Sequence, residues 1–245
     1  MLMLNRLRPG PIEEVAASAA FAYPEGTQAY LRANMVSSVD GAAALEGRVG
    51  ALTGPADQEL LVTLRSLCDV LIVGAGTVRA EGYGPVRTLP ELQAERHEAG
   101  QLVAPRLAVL SRTIDVDLGS RAFTEAVERP IILTTELADL EQIREAEELA
   151  EVIVVGDDAV DLRAGVEQLA ARGLTRMLTE GGPRLLAQLY AADLVDELCL
   201  AVSPVVACGE STRVTSDPAL ASPHAVRLEA VLEREDFLFL RYTRA

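Results

Sequence analysis

Short apolar runs alternate with amphipathic segments through most of this sequence, and that alternation restricts the fold more than any other feature. Between the apolar runs, apolar residues recur at helical spacing. Such alternation is typical of a mainly parallel sheet with helices on both faces, so we predict an α/β fold of three layers. The strand-like runs lie at 30–36, 69–73, 106–110, 130–134, 152–155 and 176–179, and the helical segments at 55–67, 136–150, 162–172 and 183–191.

The alternation of strand-like and helical segments ends after Asp193, where strand-like segments follow one another without a helix between them. They occupy 195–202, 225–231 and 236–242. Strands joined without a crossover helix pair antiparallel, so we expect them to form antiparallel edge strands of the same sheet. Residues 1–28 carry an early proline pair, Pro9 and Pro11, and then a run that suits a short helix or an arm, and we predict an N-terminal arm. Residues 29–245 are then one domain.

Composition excludes several classes of function. The formal net charge is −15, which argues against nucleic acid and anionic membranes as partners, because binding to them requires a basic face. All 22 basic residues are arginines. Lysine Schiff-base chemistry is therefore excluded, and any basic contact to an anion must come from arginine.

The cysteine and histidine content indicates a reducing compartment and predicts no metal centre. Cys68, Cys199 and Cys208 are widely spaced, and we expect all of them to be buried as small apolar residues. The sequence has only two histidines, His97 and His224. They offer few of the side chains that a zinc site or a His-based triad requires. We find neither an apolar run that would span a membrane nor a signal peptide, so a soluble cytoplasmic protein is expected.

The segment 179–186 combines groups that suit a phosphate. Glu180-Gly181-Gly182-Pro183 lies between the strand-like run 176–179 and an amphipathic helix. Adjacent glycines let the backbone approach a ligand closely, and proline suits the first helical turn. A helix N-terminus with free N–H groups is a natural seat for a phosphate. For these residues taken alone, an ordinary strand-to-helix turn is the alternative.

Two other strand ends carry comparable residues. Gly74-Ala75-Gly76 follows 69–73, and Ser111-Arg112 follows 106–110. The dinucleotide fingerprint expects a third glycine where Arg79 stands, so the first motif is weak alone. Ligands of open α/β sheets bind at the carboxyl ends of strands, however, where all three motifs would meet. We therefore predict a cradle for a phosphorylated cofactor, with Ser111-Arg112 suited to a 2′-phosphate. A solvated surface position is the alternative for the arginine.

Three segments in this order and spacing carry a family resemblance: 34–41 (NMVSSVDG), 71–81 (LIVGAGTVRAE) and 178–183 (LTEGGP). They resemble the reductase domain of bacterial riboflavin biosynthesis, the pyrimidine reductase branch of the dihydrofolate-reductase-like fold. The similarity extends over roughly residues 30–242. Bifunctional members of that family also carry a zinc deaminase signature, H-x-E with P-C-x-x-C, which this sequence lacks. A stand-alone reductase is therefore expected.

The resemblance implies a dihydrofolate-reductase-like fold, NADPH as cofactor and a homodimer. It further implies reduction of the ribosylamino group of 5-amino-6-(5-phosphoribosylamino)uracil, a small phosphorylated pyrimidine, to the ribitylamino form. Hydride would reach C1′ of an opened, imine-like sugar. The protein would contribute orientation and electrostatics, because the cofactor carries the hydride.

The motifs and the resemblance together predict the site residues. Arg65 and Arg87 are predicted to hold the substrate phosphate, and Glu180 to contact the substrate. Glu180 and Asp40 are the predicted catalytic residues, and a carboxyl group placed like Glu180 is suited to a raised pKa and to proton relay. Surface roles for both arginines and a turn-forming role for Asp40 are the alternatives. The predicted cofactor contacts are Val36, Gly74, Gly76, Thr77, Glu81, Ser111, Arg112, Gly181, Gly182, Pro183, Arg184, Leu185 and Leu186.

Two departures from the family lie on the substrate side. The family often has Asp-Asn-Pro or Asp-Asp-Pro where this chain has Glu81-Gly82-Tyr83, and Ser-x-Trp-Ile where it has Val49-Gly50-Ala51-Leu52. A dihydrofolate-type reductase of a pterin or related pyrimidine is thus an alternative, with Asp57 or Glu59 as the acid on the helix after the first loop. From another class, the alternative is a nucleotide-binding module without turnover.

Overall fold

A single sheet of eleven strands organises the part of the chain that the computed structural model describes, residues 1–26, 29–45, 47–220 and 222–245. The strands are β1 (Met3–Arg8), β2 (Glu13–Ala16), β3 (Tyr30–Ser38), β4 (Val70–Gly74), β5 (Arg106–Leu110), β6 (Ile131–Thr134), β7 (Glu151–Val154), β8 (Arg176–Thr179), β9 (Glu197–Ser203), β10 (Val226–Arg234) and β11 (Phe237–Arg244). Their order across the sheet is β2-β1-β10-β11-β9-β3-β8-β4-β5-β6-β7.

The sheet is parallel from β9 to β7 and antiparallel on the other side. β3 pairs parallel with β8 and β9, β8 pairs with β4, and the parallel pairing continues through β5, β6 and β7. β9 also pairs antiparallel with β11, which leads to β10, β1 and β2. Central strands such as β6 are buried along their whole length, as expected for a sheet covered on both faces. The predicted α/β fold with antiparallel C-terminal edge strands is confirmed.

The N-terminal segment belongs to the same sheet. β1 pairs antiparallel with β10, and β2 pairs with β1 to form the outermost strand. The short helix considered for this region is a strand over Glu13–Ala16, and only Ala17–Ala20 is helical. The difference arises because strand pairing satisfies backbone groups on a remote segment that local periodicity does not reveal. Thr27 and Gln28, at the predicted end of the arm, lie outside the described residues.

Helices cover both faces of the sheet. They are α1 (Ala17–Ala20), α2 (Pro55–Leu67), α3 (Ala75–Glu81), α4 (Gln93–Glu98), α5 (Arg121–Thr124), α6 (Leu140–Glu147), α7 (Leu162–Ala170) and α8 (Pro183–Ala191). α2 and α8 begin as predicted, each with proline in its first turn after a glycine. α6 is shorter than the predicted 136–150, because the carboxylate of Asp139 caps it by accepting a 2.8 Å hydrogen bond from the Glu141 N–H. None of the described helices combines the length and apolar character needed to cross a membrane.

Two apolar cores lie on opposite faces of the sheet, because successive side chains of a strand point in opposite directions. Leu178 of β8 packs in the core that contains Leu64 of α2. Its neighbour Met177 packs in the other core, which contains Leu186 of α8. α2 and α8 therefore cover different faces of β8. This arrangement gives the three predicted layers.

A buried ion cluster joins the parallel and antiparallel parts of the sheet. Arg32 and Glu197 are partners in the β3–β9 register, their side chains are 0% exposed, and Nη2 lies 3.1 Å from Oε2. Arg241 of β11 contacts the same carboxylate, with Nε 2.8 Å from Oε1. Burial alone would raise the pKa of Glu197, but the charges and hydrogen bonds of both arginines outweigh it and lower that pKa to about 2.

We expect Glu197→Ala to lower the free energy of unfolding by about 3–5 kcal/mol, because it leaves the Arg32 guanidinium buried without its carboxylate. Urea denaturation followed by circular dichroism measures this loss. Glu229→Ala is the matched control, since it removes an exposed pair with Arg227 and should change stability little. Similar midpoints of urea denaturation for the two variants would contradict the stabilising role of the buried ion cluster.

Candidate functional site

A cavity of about 860 Å³ opens where β4, β5 and β8 end. Three segments singled out in the sequence line it: 74–77, 111–113 and 182–185. They meet because β4 pairs with both β5 and β8, which brings the carboxyl ends of these strands to one edge of the sheet. This is the edge at which α/β sheets bind ligands. The predicted cofactor residues that line the cavity are Gly74, Gly76, Thr77, Ser111, Arg112, Gly182, Pro183, Arg184 and Leu185.

Two hydrogen bonds join the glycine turns beside this cavity. The Gly182 N–H donates to Thr77 Oγ1 at 2.8 Å, and the Gly74 N–H donates to the Gly181 carbonyl at 3.4 Å. The peptide bond between Gly181 and Gly182 is cis, and Gly181 has a φ of +82°. A Cβ on Gly182 would lie 3.1 Å from Thr77 Oγ1, and one on Gly181 would lie 3.2 Å from Met35 Sδ. Backbone conformation and space thus both favour glycine here.

Free N–H groups of the first turn of α8 point to the cavity, and arginines without an ion-pair partner among the described residues line it. Gly182 is the N-cap of α8 and no side chain caps the helix, so its first-turn N–H groups are free to bind an anion. Arg112 and Arg184 are exposed at the cavity, and neither guanidinium is paired within the described part of the chain. Arg79 also lines the cavity, with Nη1 2.9 Å from Asp115 Oδ2. Because arginine holds phosphate through parallel hydrogen bonds, the cavity suits a phosphorylated ligand.

Ser111 shapes the turn after β5 as well as lining the cavity. Its Oγ accepts a 2.8 Å hydrogen bond from the Asp115 N–H. The hydroxyl retains its own proton as a donor, so a ligand in the cavity has a hydrogen-bonding group at this position.

The other predicted cofactor residues do not line this cavity. Leu186 is fully buried in the core under α8, where it packs. Glu81 is exposed at the end of α3, and Val36 is half-buried in β3 against the core on the α2 face. Gly181 acts through the conformation of the turn and its hydrogen bond to Gly74.

Glu180 is held by a guanidinium and a phenol immediately before the glycine turn. Arg65 of α2 donates from Nε to Oε1 and from Nη2 to Oε2, both at 2.6 Å. Tyr83 Oη donates to Oε2 at 2.5 Å, and Arg65 Cζ lies 5.3 Å from the centroid of the tyrosine ring. A bidentate arginine–carboxylate pair is among the strongest side-chain interactions. We call Arg65, Tyr83 and Glu180 the Glu180 cluster.

Both partners of Glu180 are held in their protonated, donating forms. Burial alone would lower the pKa of Arg65, but the hydrogen bonds and negative charge of Glu180 outweigh it and raise that pKa. Burial raises the pKa of Tyr83, and the charge of Glu180 raises it further. Because Arg65 and Tyr83 both donate to it, Glu180 is a hydrogen-bond acceptor in this arrangement. The isolated carboxyl group that the proton-relay hypothesis assumed is not what the structure contains.

Arg87 lies apart from Arg65, with which it was predicted to act. It is exposed in the segment after α3, and among the described residues it contacts no member of the Glu180 cluster. The hydrogen bond and charge of Arg121 lower the pKa of Glu125, and the charge of Arg87 adds a smaller contribution. The structure therefore brings one of the two predicted phosphate-binding arginines to Glu180.

Asp40 anchors a loop and does not line the cavity. Oδ1 accepts hydrogen bonds from Ser38 Oγ at 2.5 Å and from the Ala207 N–H at 3.0 Å, and Oδ2 accepts one from the Cys208 N–H at 2.8 Å. These bonds, first that from Ser38, lower the pKa of Asp40 to about 2. This is the turn-forming role that the sequence left open. Cys208 is exposed, so the expectation of three buried cysteines is wrong for this one.

The structure distinguishes the two acids of α2. Asp57 is 6% exposed, whereas Glu59 is exposed. Burial raises the pKa of Asp57 to about 6, and among the described residues its carboxylate has no hydrogen bond or ion pair. Asp57 is the acid in the first turn of α2, where the helix dipole favours a negative charge.

Tyr83 and Arg79 are site residues that the sequence did not predict as such. In the sequence, Tyr83 belongs to a departure from the family motif, and Arg79 occupies the position where the dinucleotide fingerprint expects a glycine. Gly82 ends α3 with a φ of +61°, a conformation that suits glycine and redirects the chain so that Tyr83 reaches Glu180. A glycine directly before a tyrosine was the only local signal.

Glycine turns and arginine side chains line a cavity at the carboxyl edge of this sheet, which is the architecture of an α/β protein that binds a phosphorylated ligand. The family model described as the RibD C-terminal domain matches residues 29–235. The chain belongs to this family, and the resemblance inferred from the three sequence segments is confirmed.

Named relatives and a solved structure agree with this assignment. A protein of Archaeoglobus fulgidus named 2,5-diamino-6-ribosylamino-4(3H)-pyrimidinone 5′-phosphate reductase is 29% identical over 189 residues, which cover 77% of this chain and 86% of that protein. A protein of the same name from Methanothermobacter thermautotrophicus is 28% identical, with coverages of 77% and 83%. The crystal structure of a pyrimidine reductase-like protein from Corynebacterium diphtheriae matches with a TM-score of 0.83 at 26% identity, covering 94% of this chain and 99% of that one.

The burial of Asp57 predicts a pH dependence of stability. Its folded-state pKa of about 6 is above the unfolded value near 4. The associated stability is therefore full below about pH 4 and is lost as the pH rises through about 6, a change of about 3 kcal/mol. We expect Asp57→Asn to remove this loss, so that the variant gains stability relative to wild type between pH 4 and pH 7.

Guanidinium denaturation of both proteins at each pH measures the effect. Glu59→Gln, a change of an exposed acid on the same helix, is the control and should follow the wild-type profile. If Asp57→Asn lost as much stability as wild type over this interval, the carboxylate would not be buried in solution.

Proposed function

We propose that this protein uses NADPH to reduce the ribosylamino group of a pyrimidine 5′-phosphate in riboflavin biosynthesis. The observation that carries the proposal is the position of Glu180, directly between two different binding surfaces. On one side, the glycine turn and α8 face the phosphate-binding cavity. On the other side, Arg65 and Tyr83 form a polar cluster suited to a polar, anionic substrate. Hydride transfer requires cofactor and substrate to meet at such a boundary.

The residues of the cavity fit NADPH. Free N–H groups at the start of α8 suit its pyrophosphate, and Ser111, Arg112 and Arg184 offer the hydroxyl and guanidinium groups that a 2′-phosphate needs. NADPH, when bound, supplies the hydride. The protein residues bind its phosphates and hold the cofactor in one orientation.

The Glu180 cluster fits the substrate side of the reaction. Reduction adds a hydride to C1′ of the opened sugar and a proton to the adjacent nitrogen, which converts the C=N bond into a secondary amine. Arg65 uses two of its five N–H donors on Glu180, so the remaining donors are free for the substrate phosphate. Glu180, fixed by Arg65 and Tyr83, retains lone pairs that accept hydrogen bonds from sugar hydroxyl groups.

The substrate is one of two closely related pyrimidines. The sequence resemblance implies 5-amino-6-(5-phosphoribosylamino)uracil, whereas the two archaeal relatives are named for the 2,5-diamino-4(3H)-pyrimidinone. Both compounds carry the same ribosylamino 5′-phosphate. We also propose a cytoplasmic homodimer, which the family resemblance implies. The net charge of −15 argues against nucleic-acid and anionic-membrane partners.

A dihydrofolate-type reduction of a pterin is the second candidate, because Asp57 is a buried acid on α2. NADPH absorbance in the presence of each ribosylamino pyrimidine, or of dihydrofolate, separates the candidates. Oxidation with either pyrimidine and not with dihydrofolate supports the proposal. Binding of NADPH without oxidation by any of them indicates a nucleotide-binding module.

We expect Glu180→Gln to lower kcat about 100-fold while the dissociation constant of NADPH changes less than about threefold, because the amide keeps the shape but loses the bidentate pair with Arg65. Steady-state assays across the pH range and fluorescence titration measure the two quantities. Glu167→Gln, an exposed change on α7, should resemble wild type. Wild-type turnover of Glu180→Gln at every pH would remove Glu180 from the mechanism.

Gly182→Ala should weaken NADPH binding about tenfold, since the added Cβ would lie 3.1 Å from Thr77 Oγ1 and displace the turn that borders the cavity. Fluorescence titration with NADPH gives the dissociation constant. Gly84→Ala is the matched control, because a Cβ there meets nothing within 4 Å. Equal affinities in the two variants would show that the cofactor does not depend on this turn.

A further inference from the structure

Arg79 and Asp115 form an ion pair on the wall of the cavity. Arg79 Nη1 lies 2.9 Å from Asp115 Oδ2, and it also donates a hydrogen bond to the Asp115 backbone carbonyl. Both residues line the cavity. Because Arg79 stands in the last turn of α3 and Asp115 in the turn after β5, the pair bridges the elements that follow β4 and β5.

The turn after β5 fixes the position of Asp115. The Asp115 N–H donates to Ser111 Oγ at 2.8 Å. The hydroxyl groups of Thr134 and Thr135 donate to the Arg112 carbonyl at 3.2 and 2.9 Å, and both threonines are fully buried. Ser111, Arg112 and Asp115 therefore line the cavity from one turn that is anchored to buried residues.

The carboxylate of Asp115 is the exception among the charges of this cavity. The described residues that line the cavity and carry charge are Arg79, Arg112, Arg184 and Asp115. In dinucleotide sites, an acid accepts a hydrogen bond from the 2′-hydroxyl of NAD, whereas an arginine accommodates the 2′-phosphate of NADP. Asp115 stands in the same turn as Ser111, which we assign to the 2′-phosphate. An unpaired Asp115 would therefore repel that phosphate and favour NADH.

Arg79 resolves this conflict, because it pairs with Asp115 and keeps donors in reserve. Its contacts to Asp115 use Nη1, and within the described residues Nε and Nη2 donate no hydrogen bond. Nη2 lies 4.0 Å from the position that a Cβ on Gly76 would take, so the guanidinium lies beside the glycine turn. The Arg79 side chain is 46% exposed. Its free N–H groups are thus accessible to an anion in the cavity.

We propose that Arg79 makes the cavity select NADPH over NADH, by neutralising Asp115 and offering its free donors to the 2′-phosphate. The proposal rests on the proposed function, since it places the adenosine end of the cofactor at the turn after β5. The residue that departs from the glycine fingerprint is then the residue that decides which cofactor binds. Exposed ion pairs contribute little to stability, so binding is the property to measure.

The test compares wild type, Arg79→Ala, Asp115→Asn and the double variant by fluorescence titration with NADPH and with NADH. We expect wild type to bind NADPH about 100-fold more tightly than NADH. Arg79→Ala should lose about 100-fold in NADPH affinity and less than about threefold in NADH affinity, because a carboxylate then faces the phosphate. Adding Asp115→Asn to Arg79→Ala should restore NADPH affinity about tenfold, and Asp115→Asn alone should stay within about threefold of wild type.

Arg121→Ala is the matched control, because it removes an exposed arginine–glutamate pair with Glu125 on α5, and Arg121 does not line the cavity. It should leave both affinities at wild-type values. Arg79→Met keeps the apolar stem of the side chain and is the second variant. It should show the same losses as Arg79→Ala, and it replaces Arg79→Ala if that variant melts below the control.

The outcomes separate this proposal from the proposed function. Equal affinities of wild type for the two dinucleotides, or an equal loss of both without Arg79, overturn the selecting role. A double variant no better than Arg79→Ala overturns the neutralisation of Asp115. Both results leave the proposed function standing. If the predicted affinities are found but no ribosylamino pyrimidine is reduced, the selecting role is supported and the proposed function fails. If wild type binds neither dinucleotide, both fail.

Discussion

The parallel pairing of β8 with both β3 and β4 is the constraint on which the site depends. Thr179, the last residue of β8, is fully buried and pairs with Ala33 of β3 and Ile72 of β4. The backbone leaves the sheet at the next residue, Glu180. Side chains alternate along a strand, so Glu180 points to the same face as Leu178, the face that α2 covers. Arg65 meets it there, while the following glycines turn toward the cavity on the other side.

The parts of the molecule that the sequence predicts well are those set by local physics. Continuous apolar runs such as β4 and β6 are buried strands, since only a sheet covered on both faces accepts them. Strand ends marked by glycine or serine meet at one edge because parallel strands share their direction. These two rules suffice to predict the cavity wall at 74–77, 111–113 and 182–185.

The parts that the sequence predicts poorly depend on contacts between distant segments. Arg65 and Glu180 are 115 residues apart, and Asp40 is 167 residues from Ala207. No local pattern indicates such a partner. The sequence thus gives no sign that loop N–H groups bind Asp40, or that β2 pairs with β1 where the local pattern suits a helix. Leu186 matched a family position, yet its place on the buried face of α8 makes it a packing residue.

Glu197, Glu180 and Asp57 differ in how many hydrogen-bond donors reach their carboxylates. Glu197 is held by Arg32, Arg241 and Tyr30, and it joins two parts of the sheet. Glu180 is held by Arg65 and Tyr83, which orient it beside the cavity.

Asp57 has no partner among the described residues, and burial disfavours its charge. Asp57 stands in the first turn of α2, where the helix dipole favours a negative charge and offsets part of the desolvation penalty. The helix dipole does not supply the side-chain donors that hold Glu197 and Glu180. The donors that reach a buried carboxylate thus decide whether burial raises its pKa, as for Asp57, or is outweighed, as for Glu197.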